Sequence, residues 1–261
     1  MGDEARRLPV VFFGHGSPMN AIEPSRYAEA WRAIGLALPR PKAILCVSAH
    51  WYTRGTGVTA MERPRTIHDF YGFPQPLFDV QYPAPGDPAL ARRVRDLLAP
   101  VEVRLDADWG LDHGAWSVLV HAYPRADVPV VQLAIDGTQP ARFHYELGRR
   151  LAPLREEGVL IAGSGNVVHN LGVMRRGPNA RPYEWAVRFE DRVRECLAAR
   201  DHAPLIGYES LGQDAQLSIP TPEHYLPLLY CVAAQQDGES AEVAIDGIEL
   251  GSISMLSVVI H

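Results

Sequence analysis

The sequence predicts a three-layer α/β/α fold around a mostly parallel, mixed central sheet, and three observations carry that reading. Short apolar runs rich in β-branched residues alternate with longer amphipathic segments, the rhythm of interleaved strands and helices. Those runs are apolar almost throughout, as strands covered on both faces are. The last two come in succession with no helix between them, which points to an antiparallel end of the sheet. With 261 residues, 47% of them apolar and 21% charged, the chain can bury a sizeable core, and residues 1–261 are expected to form a single domain.

Taken in order, the strands are expected at Pro9 to Phe13, Ala43 to Ser48, Gly57 to Met61, Val101 to Leu105, Val128 to Ile135, Val159 to Gly163, Glu242 to Asp246 and Ser254 to Ile260. Apolar residues at helical spacing predict helices near Ser25 to Ala37, Pro88 to Leu98, Trp116 to Tyr123, Ala141 to Glu157, Glu184 to Arg200 and Glu223 to Gln235. Residues Glu62 to Asp87 break the rhythm. Pro64, Pro74, Pro76, Pro83 and Pro85 forbid a regular helix there, while Phe70, Tyr71, Phe73 and Phe78 add bulk, the composition of a pocket wall or lid. Met174 to Pro182 reads as a surface connection.

Charge and cysteine content exclude several function classes. A net charge of −6 without a Lys/Arg-rich run argues against nucleic acid as a partner. Met1 to Leu8 lacks the apolar core of a signal peptide, and no apolar stretch approaches the roughly 20 residues of a membrane span, so a cytoplasmic protein without membrane contact is expected. Cys46, Cys196 and Cys231 fit neither a disulfide framework nor a thiolate zinc site, and each reads as a small buried hydrophobe in a reducing compartment.

The histidines are the informative residues. His15, His50 and His169 each fall just past the carboxyl end of an expected strand, the edge at which open α/β sheets bind ligands. One histidine in such a place is more often structural; three at equivalent ends are not explained that way. Gly14 and Gly16 flank His15 and let the chain turn sharply there. His224 lies in Pro220-Thr221-Pro222-Glu223-His224-Tyr225, with Thr221 a plausible N-cap and Pro222 suited to a first helical position. His113 opens a helix in Asp112-His113-Gly114-Ala115-Trp116.

Imidazoles without cysteine suit a catalytic iron or zinc site with open coordination positions. Glu223 and Asp112 are the nearest carboxylates by sequence but rank below the histidines as ligands, their other reading being acidic complement to a helix N-terminus. His68 in the proline-rich loop is placed either against substrate or in a loop hydrogen bond. His121, His144, His202 and His261 receive no role. Gly163-Ser164-Gly165 lacks the third glycine of a dinucleotide fingerprint, with Val168 in that place, and Ser164 has no nucleophile-elbow context.

Five blocks carry a family resemblance: Gly14-His15-Gly16-Ser17-Pro18-Met19-Asn20, Ser48-Ala49-His50-Trp51, Thr66-Ile67-His68-Asp69-Phe70, Asp112-His113-Gly114 and Pro222-Glu223-His224-Tyr225. In this order, over about Val10 to Val259, the chain resembles the 4,5-DOPA extradiol dioxygenase family, a branch of the class III, protocatechuate 4,5-dioxygenase-like ring-cleaving enzymes. The resemblance implies one catalytic domain holding a non-haem divalent metal, with His15, His50 and His224 as ligands. His169 matches a histidine that is either a further ligand or the acid/base beside the metal, and His113 matches the histidine near bound dioxygen. Some class III relatives supply glutamate where this sequence offers His224.

It further implies a catechol, DOPA-like substrate opened with O2 beside one hydroxyl to a muconic semialdehyde. An all-histidine site accepts Zn(II) as well as Fe(II), but zinc lacks the redox step, so Fe(II) is expected as the working metal and Zn(II) as an ion the site also binds. Two rivals come from other classes. A zinc-dependent hydrolase would use metal-bound water on the same histidines, although no zincin pair is present, and oxygen uptake separates the two. A non-catalytic metal or small-molecule binding protein would hold its ion with no turnover.

Overall fold

In the computed structural model, which describes residues 7–177 and 180–261, eight strands form one sheet in the order β4-β3-β5-β2-β6-β1-β10-β7. In chain order the elements are β1 (Val10–Gly14), α1 (Arg26–Ala37), β2 (Ala43–Thr53), β3 (Thr56–Thr59), α2 (Gln75–Phe78), α3 (Pro88–Leu98), β4 (Val103–Asp106), α4 (His113–Ala122), β5 (Val130–Asp136), α5 (Ala141–Leu151) and β6 (Val159–Gly165). They continue with α6 (Glu184–Ala199), α7 (His202–Ile206), α8 (Gln213–Ser218), α9 (Leu226–Ala233), β7 (Ala241–Ile245), the two-stranded β8 (Ile248–Glu249) and β9 (Ile253–Ser254), and β10 (Ser257–Ile260). The N-terminal six residues, part of the segment read as lacking a leader core, and positions 178 and 179 of the expected surface connection lie outside the described residues.

The four central strands β5, β2, β6 and β1 are mutually parallel, and β10 runs antiparallel to both β1 and β7. The expected antiparallel end is therefore present. The opposite edge is also reversed: β3 pairs antiparallel with β5 and carries β4 parallel to itself. Alternation along the strands divides the core in two. Val10, Phe12, Leu45, Val47 and Ile161 pack with α3, α5, α6 and α9, whereas Val11, Phe13, Ile44, Cys46, Leu160 and Ala162 pack with α1 and α4. Three layers result, with Trp31 and Trp116 fully buried on the second face.

Several boundaries moved for identifiable reasons. The Ala141 helix ends at Leu151 and tightens into a 3-10 turn over Ala152–Arg155, because Pro153 has no N–H to continue the ladder. The helix expected from Glu223 starts at Leu226, and Thr221 caps nothing; its hydroxyl donates to Glu223 instead. β2 runs five residues beyond Ser48, through a register irregularity between Val47 and Tyr52, so that His50 lies on the strand itself. None of the helices among the described residues is long and apolar enough to cross a membrane.

Candidate metal centre

The sheet register brings the histidine-bearing ends level. Gly14 of β1 lies opposite Gly165 of β6, and Ser48 of β2 opposite Ser164, so His15 and His50 emerge on either side of β6 at one height. The His15 amide donates to the Gly165 carbonyl at 3.1 Å, and the Asn166 amide donates to the His224 carbonyl at 2.8 Å. A side chain at Gly165 would collide with that same His224 carbonyl, which is why only glycine fits there. Gly16 has φ +60°, the left-handed turn expected beside His15. α4 delivers His113 at its first turn, with the buried Asp112 as N-cap accepting from the Ala115 amide at 3.2 Å.

His15, His50 and His224 form a nearly equilateral triangle, with ring centroids 5.1 Å (His15–His50), 5.3 Å (His15–His224) and 5.0 Å (His50–His224) apart. Metal–nitrogen bonds of about 2.1 Å put an imidazole centroid roughly 3.2 Å from the ion, so two tetrahedrally arranged rings have centroids about 5.2 Å apart. The triangle matches that spacing.

Hydrogen bonding decides which nitrogen of each ring is free. Ser164 Oγ gives its proton to the Gly114 carbonyl at 2.5 Å, so His15 Nδ1, 3.0 Å away, is the donor to it. His50 Nδ1 lies 3.3 Å from Asp69 Oδ2, and His224 Nδ1 lies 3.2 Å from Glu223 Oε1. In His15 and His224 the Nδ1 is hydrogen-bonded, and in His50 it faces the Asp69 carboxylate, so each ring is set to keep its proton on Nδ1 and leave Nε2 as a lone pair. The Nε2 atoms of His15 and His50 face each other at 3.3 Å. Two acceptors at that separation repel unless a cation lies between them, and 3.3 Å is the chord of two bonds of about 2.1 Å meeting at roughly 104°. The His15–His50 nitrogen pair thus fits a divalent metal, with the His224 ring at matching centroid spacing.

Electrostatics point the same way. Burial drives the pKa values of His15 and His224 well below the ordinary imidazole value, and their neighbouring histidines push in the same direction. Burial lowers His50 to about 3 and His169 to about 4, with Glu223 opposing the shift in both. All four rings are therefore neutral at pH 7, the protonation state a metal ligand needs. Burial raises Asp69, but hydrogen bonds from His113 and the proximity of both imidazoles outweigh it and hold the carboxyl below its usual range.

The remaining expected residues fall as follows. His169 stacks face to face on His224, with centroids 3.5 Å apart and planes within 9°. His113 sits 3.8 Å from the His50 ring and 6.0 Å from His15. Donor atoms of His15, His50 and His113 all lie within 4.8 Å of one another, as do those of His169, Glu223 and His224. His68 is not in this cluster: its Nε2 lies 3.0 Å from the Val80 carbonyl, and its ring packs against Phe70, Phe78 and Trp116. Phe70 in turn packs edge-on to His113, so the aromatic loop walls the site.

Asp112 does not face the rings. Ser48 Oγ donates to it at 2.6 Å and Gln132 Nε2 also donates to it, while burial, with Asp69's charge adding, raises its pKa to about 6. Sequence reasoning passed over Asp69, which stands between His50 and His113; its place in the quoted Thr66–Phe70 block was the available signal.

Comparison with known proteins bears directly on this arrangement. Residues 15–257 match the family model described as the catalytic LigB subunit of aromatic ring-opening dioxygenase. The chain is 54% identical over 256 residues to a 4,5-DOPA dioxygenase extradiol of Escherichia coli K12, covering 97% of this chain and 94% of that protein. It is 38% identical over 262 residues to a 4,5-DOPA dioxygenase extradiol of Beta vulgaris, covering 97% of each. A crystal structure of an uncharacterized protein from Escherichia coli K12 superposes with TM-score 0.86 at 49% identity, covering 98% of this chain and all of that one. With the fold, the histidine cluster and these similarities in agreement, the chain belongs to the LigB family of aromatic ring-opening dioxygenases.

Proposed function

We propose that this extradiol dioxygenase cleaves a catechol, DOPA-like ring with O2 to a muconic semialdehyde, using Fe(II) held by the Nε2 atoms of His15, His50 and His224. The observation that carries the ligand assignment is the triangle of three neutral imidazoles whose Nδ1 atoms face Ser164, Asp69 and Glu223 respectively. The relatives' names supply the DOPA-like substrate. Bound iron supplies electron transfer between the aromatic ring and dioxygen, which zinc does not. Zn(II) occupies the same ligands without turnover.

The stack of His169 on His224 favours an acid/base role over a ligand role for His169. An ion lies in the ring plane of each imidazole it binds. Two rings lying nearly parallel with centroids 3.5 Å apart would direct their lone pairs side by side rather than at one shared point. His169 is neutral at pH 7 and so able to take a hydroxyl proton from the catechol, and Glu223 stabilises the imidazolium that results. His113 closes the other side, 3.8 Å from His50, where its ring orients dioxygen against the Phe70 wall. His68 backs that wall through Phe70 and Trp116. The hydrolytic alternative does not fit a ring-opening dioxygenase family.

A cytoplasmic location belongs to the same proposal, supported by three buried cysteines left as free thiols. The function is tested by reconstituting the protein anaerobically with Fe(II), then admitting air and a panel of catechols while recording O2 uptake and absorbance. One O2 consumed per yellow semialdehyde formed, with no turnover by the zinc form, is the expected result. Iron verified in place with no oxygen uptake on any catechol overturns it.

A further inference from the structure

The loop from Arg65 to Phe70 delivers Asp69 into the gap between β2 and the start of α4, and its backbone is clamped on both sides. Thr66 bridges to Leu111, the Ile67 amide donates to the Leu111 carbonyl at 2.7 Å, and the Leu111 amide donates to the Arg65 carbonyl at 2.9 Å. Trp116 Nε1 donates to the Ile67 carbonyl at 2.8 Å, and the Tyr82 amide donates to Thr66 Oγ1 at 2.9 Å. The Asp69 side chain, 17% exposed, is thereby set between two rings. Its oxygens divide the work. Oδ1 accepts the His113 amide at 2.9 Å and lies 3.0 Å from His113 Nδ1, while Oδ2 lies 3.3 Å from His50 Nδ1. Among the described residues, its ion-pair partners are these two histidines.

We infer that Asp69 is a positioning residue: one carboxylate fixes the tautomer and aim of His50 and, through its other oxygen, the place of His113 beside it. The inference rests on the proposed ligand set. A carboxylate accepts at both oxygens, so His50 keeps its proton on Nδ1 and presents the Nε2 lone pair towards His15. Asparagine cannot do both. If its carbonyl oxygen stays on the His113 amide, its NH2 faces His50 Nδ1, two donors meet, and the ring must move its proton to Nε2. If the amide flips, the NH2 meets the His113 N–H instead. Either arrangement unseats one of the two histidines.

The test uses Co(II) as a spectroscopic probe on the full chain. Wild type, Asp69→Asn and Asp69→Glu are titrated with Co(II), followed by visible absorption and by competition with a chelator, and the metal-free forms are melted in parallel. Loss of the carboxylate is expected to weaken metal binding about 10–100-fold and alter the cobalt bands, with an unchanged metal-free melting temperature and partial recovery in Asp69→Glu. Equal affinity and identical bands in wild type and Asp69→Asn overturn the positioning role alone. No cobalt bound by wild type overturns the ligand set as well. Imidazole nitrogen NMR of the metal-free wild type keeps the idea testable if Asp69→Asn fails to fold: a His50 Nδ1–H tautomer supports it, and a Nε2–H tautomer refutes it.

Discussion

Replacing Gly165 by alanine adds one methyl group where the end of β6 meets the backbone of His224. An ideal Cβ there falls closer than 3.0 Å to the His224 carbonyl oxygen and 3.1 Å from its carbonyl carbon. Restoring ordinary separation requires a shift of about 1 Å. Backbone cannot swing aside as a side chain can, so the shift falls on the His224 segment and on the Asn166-to-His224 hydrogen bond of 2.8 Å. Overpacking of this kind costs about 1–3 kcal/mol, which for a chain of this size, at roughly 2 °C per kcal/mol, lowers Tm by about 2–6 °C. Metal–ligand distances tolerate only about 0.2 Å, so metal affinity should fall at least roughly tenfold as well.

Circular-dichroism melts with and without metal, together with chelator competition, measure both effects. Gly57→Ala is the control, since its Cβ would meet Trp51 and Arg104 at 3.5 and 3.6 Å, ordinary contact. Gly165→Ala behaving like Gly57→Ala in both assays would refute the reasoning that β6 and the His224 turn are locked together.

Three further outcomes follow from the geometry. His15→Ala should lose the metal, whereas His169→Ala should keep it and lose turnover by about 10²–10⁴-fold; equal metal loss in metal analysis of both would make His169 a ligand. Ser164→Ala removes the acceptor of the His15 Nδ1 proton and should weaken metal binding about tenfold without abolishing it, read by the same chelator competition. His144, wholly buried against Tyr230 near the start of α5, is lowered by burial to about 4. Its folded pKa lies below the unfolded value of about 6.5, so the stability it contributes is complete above pH 6.5 and is lost as pH falls towards 4, about 3 kcal/mol in all. His144→Asn should flatten the stability–pH slope in that window by about one proton, and an unchanged slope in urea titrations from pH 4 to 7 would contradict the assignment.

Much of the fold was legible because both faces of the central strands are covered, which leaves uninterrupted apolar runs such as Ile44-Leu45-Cys46-Val47. The placement of His15 and His169 beyond strand ends followed from the same runs. What escaped was set by long-range pairing. β3 follows β2 closely in sequence yet pairs with β5, which no local pattern announces. The helix after His224 begins late because the His224 carbonyl is committed to Asn166 just past β6, a bond between residues far apart in the chain. α7 and α8 are too short to show a helical period. Asp69 escaped because a carboxylate in a proline-rich loop looks like solvated charge until the Thr66–Leu111 bridge places it between two imidazoles.

The central claim is that three imidazoles from three separate stretches of chain aim their Nε2 atoms at one ion. Anomalous diffraction at the iron edge, from crystals grown anaerobically with Fe(II), tests it most directly. The account predicts a single peak about 2.1 Å from Nε2 of each of His15, His50 and His224. A peak seated instead among His169, Glu223 and His224, or held by His113 in place of His224, would contradict it.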